Sequence, residues 1–206
     1  MKIITGRVAN SLSFLAVAAL PVICTACPST GPTARIPPDV TPQELNNRAN
    51  QLDDRGQGEK ALPYYREALR RYRPDEVKDR ANCYYNYGLA LRRLGRHDEA
   101  IRAYRQSIAL DPHVSKPYTN LGFALTRIGR LREALAVYRK GLSLFPNSIY
   151  LIENAALSHI RLHEHEKAMP FVRKAVEIRE RTPHLRNNRQ WLHRWRDYIR
   201  RFGGRQ

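Results

Sequence analysis

The sequence predicts an all-α protein, a solenoid of helix-turn-helix units closed by a C-terminal capping helix. Three observations carry this expectation. Ala, Leu, Arg and Tyr recur at the spacing of helix faces, alternating β-branched runs are absent, and the chain aligns with itself at an offset of 34 residues. With 42% hydrophobic and 9% aromatic residues in a chain of 206, the composition is that of a globular rather than a disordered protein.

The elements follow in order. Residues 1–26, MKIITGRVANSLSFLAVAALPVICTA, carry Lys2 and Arg7, then an apolar run from Ser11 to Ile23, and no acidic residue, the pattern of a secretory signal sequence. The run is 13 residues, short of the roughly 20 that a membrane-spanning helix needs, so removal is expected rather than a permanent span. Thr25 and Ala26 precede Cys27, an arrangement that resembles the lipobox of bacterial lipoproteins, with Cys24 where that motif usually has Leu. The resemblance implies cleavage before Cys27 and acylation of that cysteine by fatty acids such as palmitate. Several acyl chains on one residue anchor stably where a single chain is marginal. Pro28 beside the cysteine is not the Asp associated with inner-membrane retention, so a periplasm-facing place on the outer membrane is expected; ordinary secretion is the alternative. With Cys24 and Cys27 so used, Cys83 alone remains and no internal disulfide is available. Residues 27–41, rich in Pro, Ser, Thr and Gly, read as a flexible tether.

From residue 42 the repeat begins. Tyr84, Tyr87, Gly88, Leu91, Gly95, Ala100, Tyr104 and Pro112 return 34 residues later as Tyr118, Leu121, Gly122, Leu125, Gly129, Ala134, Tyr138 and Pro146. They return again, degraded, as Ile152, Ala155, Ala156, His159, His163, Ala168 and Val172. Upstream, Leu45, Ala49, Leu52, Gly56, Ala61, Tyr65 and Ala68 fit the same template at an offset of 39, so five residues around RRYRPDEVKDR are inserted, as a longer second helix or turn. Four units result: 42–80, 81–114, 115–148 and 149–183.

This pattern resembles the tetratricopeptide repeat, two antiparallel helices per unit. Gly or Ala at the eighth position and Ala at the twentieth let the two helices approach, and large residues at positions 4, 7, 11 and 24 fill the space between them. A heptad coiled coil does not explain Gly95, Gly129, Pro112 and Pro146 at fixed spacing.

After Pro183, Trp191, Leu192, Trp195, Tyr198, Ile199 and Phe202 form one apolar stripe on a helix ending at Gly203. Residues 184–206 are therefore expected to cap the last unit, as an array requires. A membrane-surface helix is the alternative, since residues 179–206 hold nine Lys and Arg against two Asp and Glu.

On each first helix, positions 2, 6, 9 and 13 lie opposite the packing set, and the resemblance implies that this face lines a concave groove. Three columns emerge there. Asn47, Asn86, Asn120 and Asn154 occupy position 6, Leu89, Phe123 and Leu157 position 9, and Arg93, Arg127 and Arg161 position 13. A carboxamide both donates and accepts, so a ladder of them can pair with extended peptide backbone, as in the asparagine ladder of peptide-binding members of the family. The apolar column offers pockets and the Arg column attracts carboxylates. The implied partner is a protein segment with apolar and acidic residues.

Other classes are disfavoured. HEHEK (163–167) with His159 invites a metal reading, yet His159 sits at a packing position and His163 at the turn, so no metal site, cofactor or catalytic centre is expected. The formal charge of +17, or +15 without Lys2 and Arg7, raises nucleic acid, but the export signal and the scatter of Arg over all faces oppose it. The expected function is that of an envelope-anchored scaffold for a partner protein, assisting an envelope machine as pilotins do or recruiting cell-wall enzymes. The alternative is a basic module that associates with anionic membrane or another polyanion.

Overall fold

A computed structural model describes residues 36–182, 185 and 188–204, so the expected signal sequence, Cys24, Cys27 and most of the tether lie outside the described residues. Nine helices and no strand occur among these residues. They run as four antiparallel pairs: α1 (Pro42–Asp54) with α2 (Gly58–Arg71), α3 (Val77–Arg93) with α4 (His97–Leu110), α5 (Ser115–Arg127) with α6 (Leu131–Leu144), and α7 (Ile149–Arg161) with α8 (His165–Arg181). The last is α9 (Arg189–Phe202).

The turn inside each pair is built the same way. The amides of Gln57, Arg96, Arg130 and Glu164 donate to the carbonyls of Leu52, Leu91, Leu125 and His159, each at 2.9 Å, closing the first helix with a Schellman bond. That bond needs a left-handed residue just before the donor. Gly56, Gly95 and Gly129 supply it at φ 74°, 76° and 81°, and His163 supplies it in the fourth pair at φ 59°.

Within the pairs the packing follows the expected code. Ala61, Ala100, Ala134 and Ala168 are fully buried, and Tyr65, Tyr104 and Tyr138 fill the core beside them. A Cβ on Gly88 would come within 2.6 Å of the Tyr104 ring, and one on Gly122 closer still to Tyr138. The small eighth residue is therefore what admits the tyrosine. Tyr64, next to Tyr65 in sequence, is only half-buried, with Arg48 5.2 Å above its ring.

The five inserted residues are absorbed differently from expectation. Helix α2 has the same 14 residues as α4 and α6, whereas α3 has 17 against 13 in α1, α5 and α7. Most of the insertion is an extra turn at the start of the next unit's first helix. The end of the tether is also fixed: Arg71 donates to the carbonyls of Pro37, Pro38 and Val40, and Ile36 and Val40 pack against the core.

First helices of successive pairs touch, α1 with α3, α3 with α5 and α5 with α7, while no comparable contact joins the second helices. The array is thus tight on the side of the first helices and splayed on the side of the second. Helix α9 lies against α8. Its stripe is packed as a cap: Leu192 and Trp195 are buried with Ala156, Ala168, Val172 and Val176, and His165 stacks on Phe202 at 4.2 Å. Among the described residues, Cys83 is the one free cysteine, and burial pushes its thiol up to about 12.

Candidate functional site

The face opposite the packing set lies on the tight side, and its residues stand as the helical register requires. Phe123, Tyr150 and Leu157 are exposed there, at 38%, 62% and 43%, and they are half of the large exposed hydrophobics among the described residues. Leu89 is half-buried beside them. Such side chains on one face are the unusual feature of this surface, since single exposed apolar residues need no explanation but an aligned set does.

The Asn column marks the seams between units. Asn86 donates to Oδ1 of the buried Asn46 at 3.4 Å, and Asn120 donates to the Tyr85 hydroxyl at 3.4 Å and to the Lys116 carbonyl at 3.1 Å. Each bond to a neighbouring unit runs from position 6 back to position 5 of the unit before. Asn86, Asn120 and Asn154 are half-buried, whereas Asn47, with no unit before it, is exposed and accepts from Gln43. The carboxamide nitrogens of Asn86 and Asn120 thus serve the stack in part, and the Oδ1 atoms of Asn86, Asn120 and Asn154 accept no bond among the described residues. Asn50, one turn on, serves packing, since it accepts the Tyr65 hydroxyl at 2.7 Å.

The Arg column is divided in the same way. Arg93 is paired with Asp53, whose side chain is 6% exposed, and lies 3.5 Å from Asp54. Arg161 donates to the Thr126 carbonyl at 2.9 Å. Between them Arg127 would meet Arg92 at the matching place, a like charge instead of an acceptor, and it has no hydrogen-bond or ion-pair partner among the described residues. Arg92 turns over Phe123 instead, 5.7 Å from the ring centre. The middle of the face therefore presents one free guanidinium next to an aromatic ring held by a second.

Two sequence models described as tetratricopeptide repeat match the chain, at residues 44–113 and 91–153, and together they run through more than half of it. The chain is a tetratricopeptide repeat (TPR) protein. The fold agrees with solved structures. A crystal structure of MamA is 24% identical over 68% of this chain and 78% of its own, with a TM-score of 0.59. MamA from Desulfovibrio magneticus is 18% identical over 78% and 92%, at 0.60. A TPR protein from Parabacteroides merdae is 21% identical over 78% and 63%, at 0.64. At these identities the likeness is one of fold. No curated protein matches the sequence.

In this TPR array the sequence locates the groove columns but not their partners. Asn46 and Asp53, buried and polar, are separated by 40 residues from Asn86 and Arg93, and an offset of 34 or 39 aligns like with like, never donor with acceptor. Position 3 escapes the sequence reading as well. Cys83, Pro117 and Leu151 are buried there, Cys83 with its Sγ 3.9 Å from the Tyr65 carbonyl of the preceding unit and Leu151 against Gly141 of the unit before it. The signal is present in their apolar character. Burial raises the hydroxyl of Tyr85 above its ordinary range, with Arg92 and Arg93 opposing, which keeps it a neutral partner for Asn120.

Proposed function

We propose that this TPR protein is a scaffold whose groove holds an extended, apolar and acidic segment of a partner protein. The observation that carries the reading is the exposed row Phe123, Tyr150 and Leu157 beside the unpaired Arg127. Side chains alternating along an extended segment would enter between the aromatic and aliphatic residues, a carboxylate would meet Arg127, and backbone amides would meet the unspent Oδ1 atoms of Asn86, Asn120 and Asn154. Arg93 and Arg161, already engaged, act chiefly to hold the seams. Protein binding is the usual work of this fold, and the reading assigns no catalysis.

The proposal extends to placement in a bacterial envelope, with Cys27 acylated and the array facing the periplasm, where it would serve assembly of an envelope machine or recruitment of a cell-wall enzyme. That part is supported by residues 1–27 of the sequence. Association with anionic membrane or another polyanion is the second reading, and the surface Arg residues favour it. It loses the inserted helix, because the apolar stripe of α9 is packed against the last pair.

A peptide display library selected on the purified array tests the groove. The expected winners combine apolar and acidic residues, and their binding falls about a hundredfold when Asn86, Asn120 and Asn154 are all changed to Ala. Arg127→Glu is expected to cost at least about tenfold. Binding that ignores the Asn changes and collapses with salt would replace the groove by surface charge. Labelled fatty acid should appear on the full chain and vanish with Cys27→Ala; unchanged labelling would remove the anchor from the proposal.

A further inference from the structure

The splay of the second helices opens a groove on the opposite side of the array, between α6 and α8, with a cavity of about 430 Å³. That volume lies within the range, roughly 300–1,000 Å³, of small-molecule sites. Leu135, Leu142, Ala155 and Phe171 form an apolar floor, and Arg132, Arg139 and Lys167 stand at the rim. We infer that this groove is a second binding site, for a small amphiphilic anion with a hydrocarbon body and one carboxylate.

The fourth unit departs from the repeat at the positions that line this groove. Where the first three units place Leu52, Leu91 and Leu125, the fourth has His159, whose ring stacks on Phe171 at 5.6 Å. The second and third units close the same corner with the ion pairs Arg96–Glu99 and Arg130–Glu133, both at 2.6 Å. In the fourth the signs are reversed: Glu164 lies 3.3 Å from Lys167 and 2.8 Å from Nδ1 of His159. The four residues that break the pattern, His159, Glu164, Lys167 and Phe171, converge on one cavity.

Its charge has a sign. Glu164 is the one carboxylate among the lining residues, and it is shared by His159, Lys167 and, at 3.9 Å, Arg132. Three rim cations against it leave a positive surplus. Arg139 supplies the free member: in its own column Arg66 donates to the Tyr87 hydroxyl, Arg105 lies 3.6 Å from Glu133 and Arg173 reaches the Gly203 carbonyl, whereas Arg139 has no partner among the described residues. A carboxylate at Arg139 and Lys167, with its chain over Leu135, Leu142 and Phe171, matches both parts of the site. One His and one carboxylate among three cations do not suit a metal ion.

The experiment is an NMR titration of the intact array with sodium octanoate, 1-octanol and acetate as separate probes. Saturable amide shifts centred on residues 135, 142 and 171 are expected with octanoate, with octanol and acetate at least about tenfold weaker. Arg139→Glu should weaken octanoate about tenfold, and Ala136→Trp, which fills the groove from an exposed position, should abolish the shifts. Octanol equal to octanoate would overturn the anionic head, and acetate equal to octanoate would overturn the apolar body. Shifts that do not saturate, or that survive both variants, would overturn the site.

Discussion

The second and third units and the fourth solve the same packing problem with different residues. In the middle of the array Gly88 and Gly122 each receive a tyrosine, Tyr104 and Tyr138, and the turns carry Gly95 and Gly129. In the fourth unit Ala156 faces Val172, and the turn carries His163. The buried residues divide within the fourth unit: one hydrophobic cluster runs from Leu45 to Leu151 and Ala155, a second joins Ala156, Ala168, Val172 and Val176 to Leu192 and Trp195, and a small third holds Ile149, Ile152 and Ala175. A unit between two like units must present the same surface on both sides, which fixes its residues. The last unit meets a repeat on one side only. Its other neighbour is an aromatic helix that can be tailored to it, so its code is free to drift.

If that is so, the fourth unit depends on its cap more than the middle units depend on it. Trp195 is 8% exposed and packs beside Trp191 and Tyr198. Trp195→Ala is expected to cost about 3–5 kcal/mol. In an array whose units contact only their neighbours the loss should be local, so hydrogen exchange should speed up in α7 and α8 before α3 to α6. Uniform loss of protection would mean that the clusters unfold as one and that the fourth unit leans on its cap no more than the middle units do.

A smaller effect probes the middle. Gly122→Ala gains about 1 kcal/mol of helix propensity but drives a methyl group into the buried Tyr138 ring, so a net loss of about 2 kcal/mol is expected in urea unfolding. Ala156→Gly in the fourth unit removes a fully buried methyl without forcing a ring aside, so it should cost about 1 kcal/mol of propensity and about 0.8 kcal/mol of lost burial. A Gly122→Ala variant as stable as the parent, or more so, would show that Tyr138 moves aside at little cost.

The legibility of the fold in the sequence has the same origin. Gly88, Ala100 and Tyr104 recur because each repeat packs against itself, and local recurrence is what self-alignment detects. The cap is readable from the stripe Trp191 to Phe202, since one amphipathic helix needs no partner to be recognised. The groove columns are readable as exposed positions, but their availability is not. Arg93, Arg127 and Arg161 are equivalent in sequence and differ in the structure through what the preceding unit offers, Asp53, Arg92 or the Thr126 carbonyl. Likewise the outer groove depends on His159, which the sequence displays only as a missing leucine.

The smallest expected effect concerns the turn of the fourth unit. His163 holds φ 59° where Gly56, Gly95 and Gly129 hold similar angles, and a side chain in the left-handed region costs about 1–2 kcal/mol. Glycine removes that strain but has more freedom to lose on folding, about 0.5–1 kcal/mol, so the two terms oppose. His163→Gly should therefore stabilise by less than about 1 kcal/mol, read as a small rise in the unfolding midpoint. His163→Asn separates the terms, because Asn tolerates the left-handed region without glycine's extra freedom in the unfolded chain, and it should stabilise at least as much. The counterweight is the edge contact of His163 with His165, 6.3 Å between rings, through which the turn reaches the residue that stacks on Phe202. If both substitutions destabilise, His163 is there to support the cap, and the fourth unit's departure at the turn is an adaptation to α9 rather than drift.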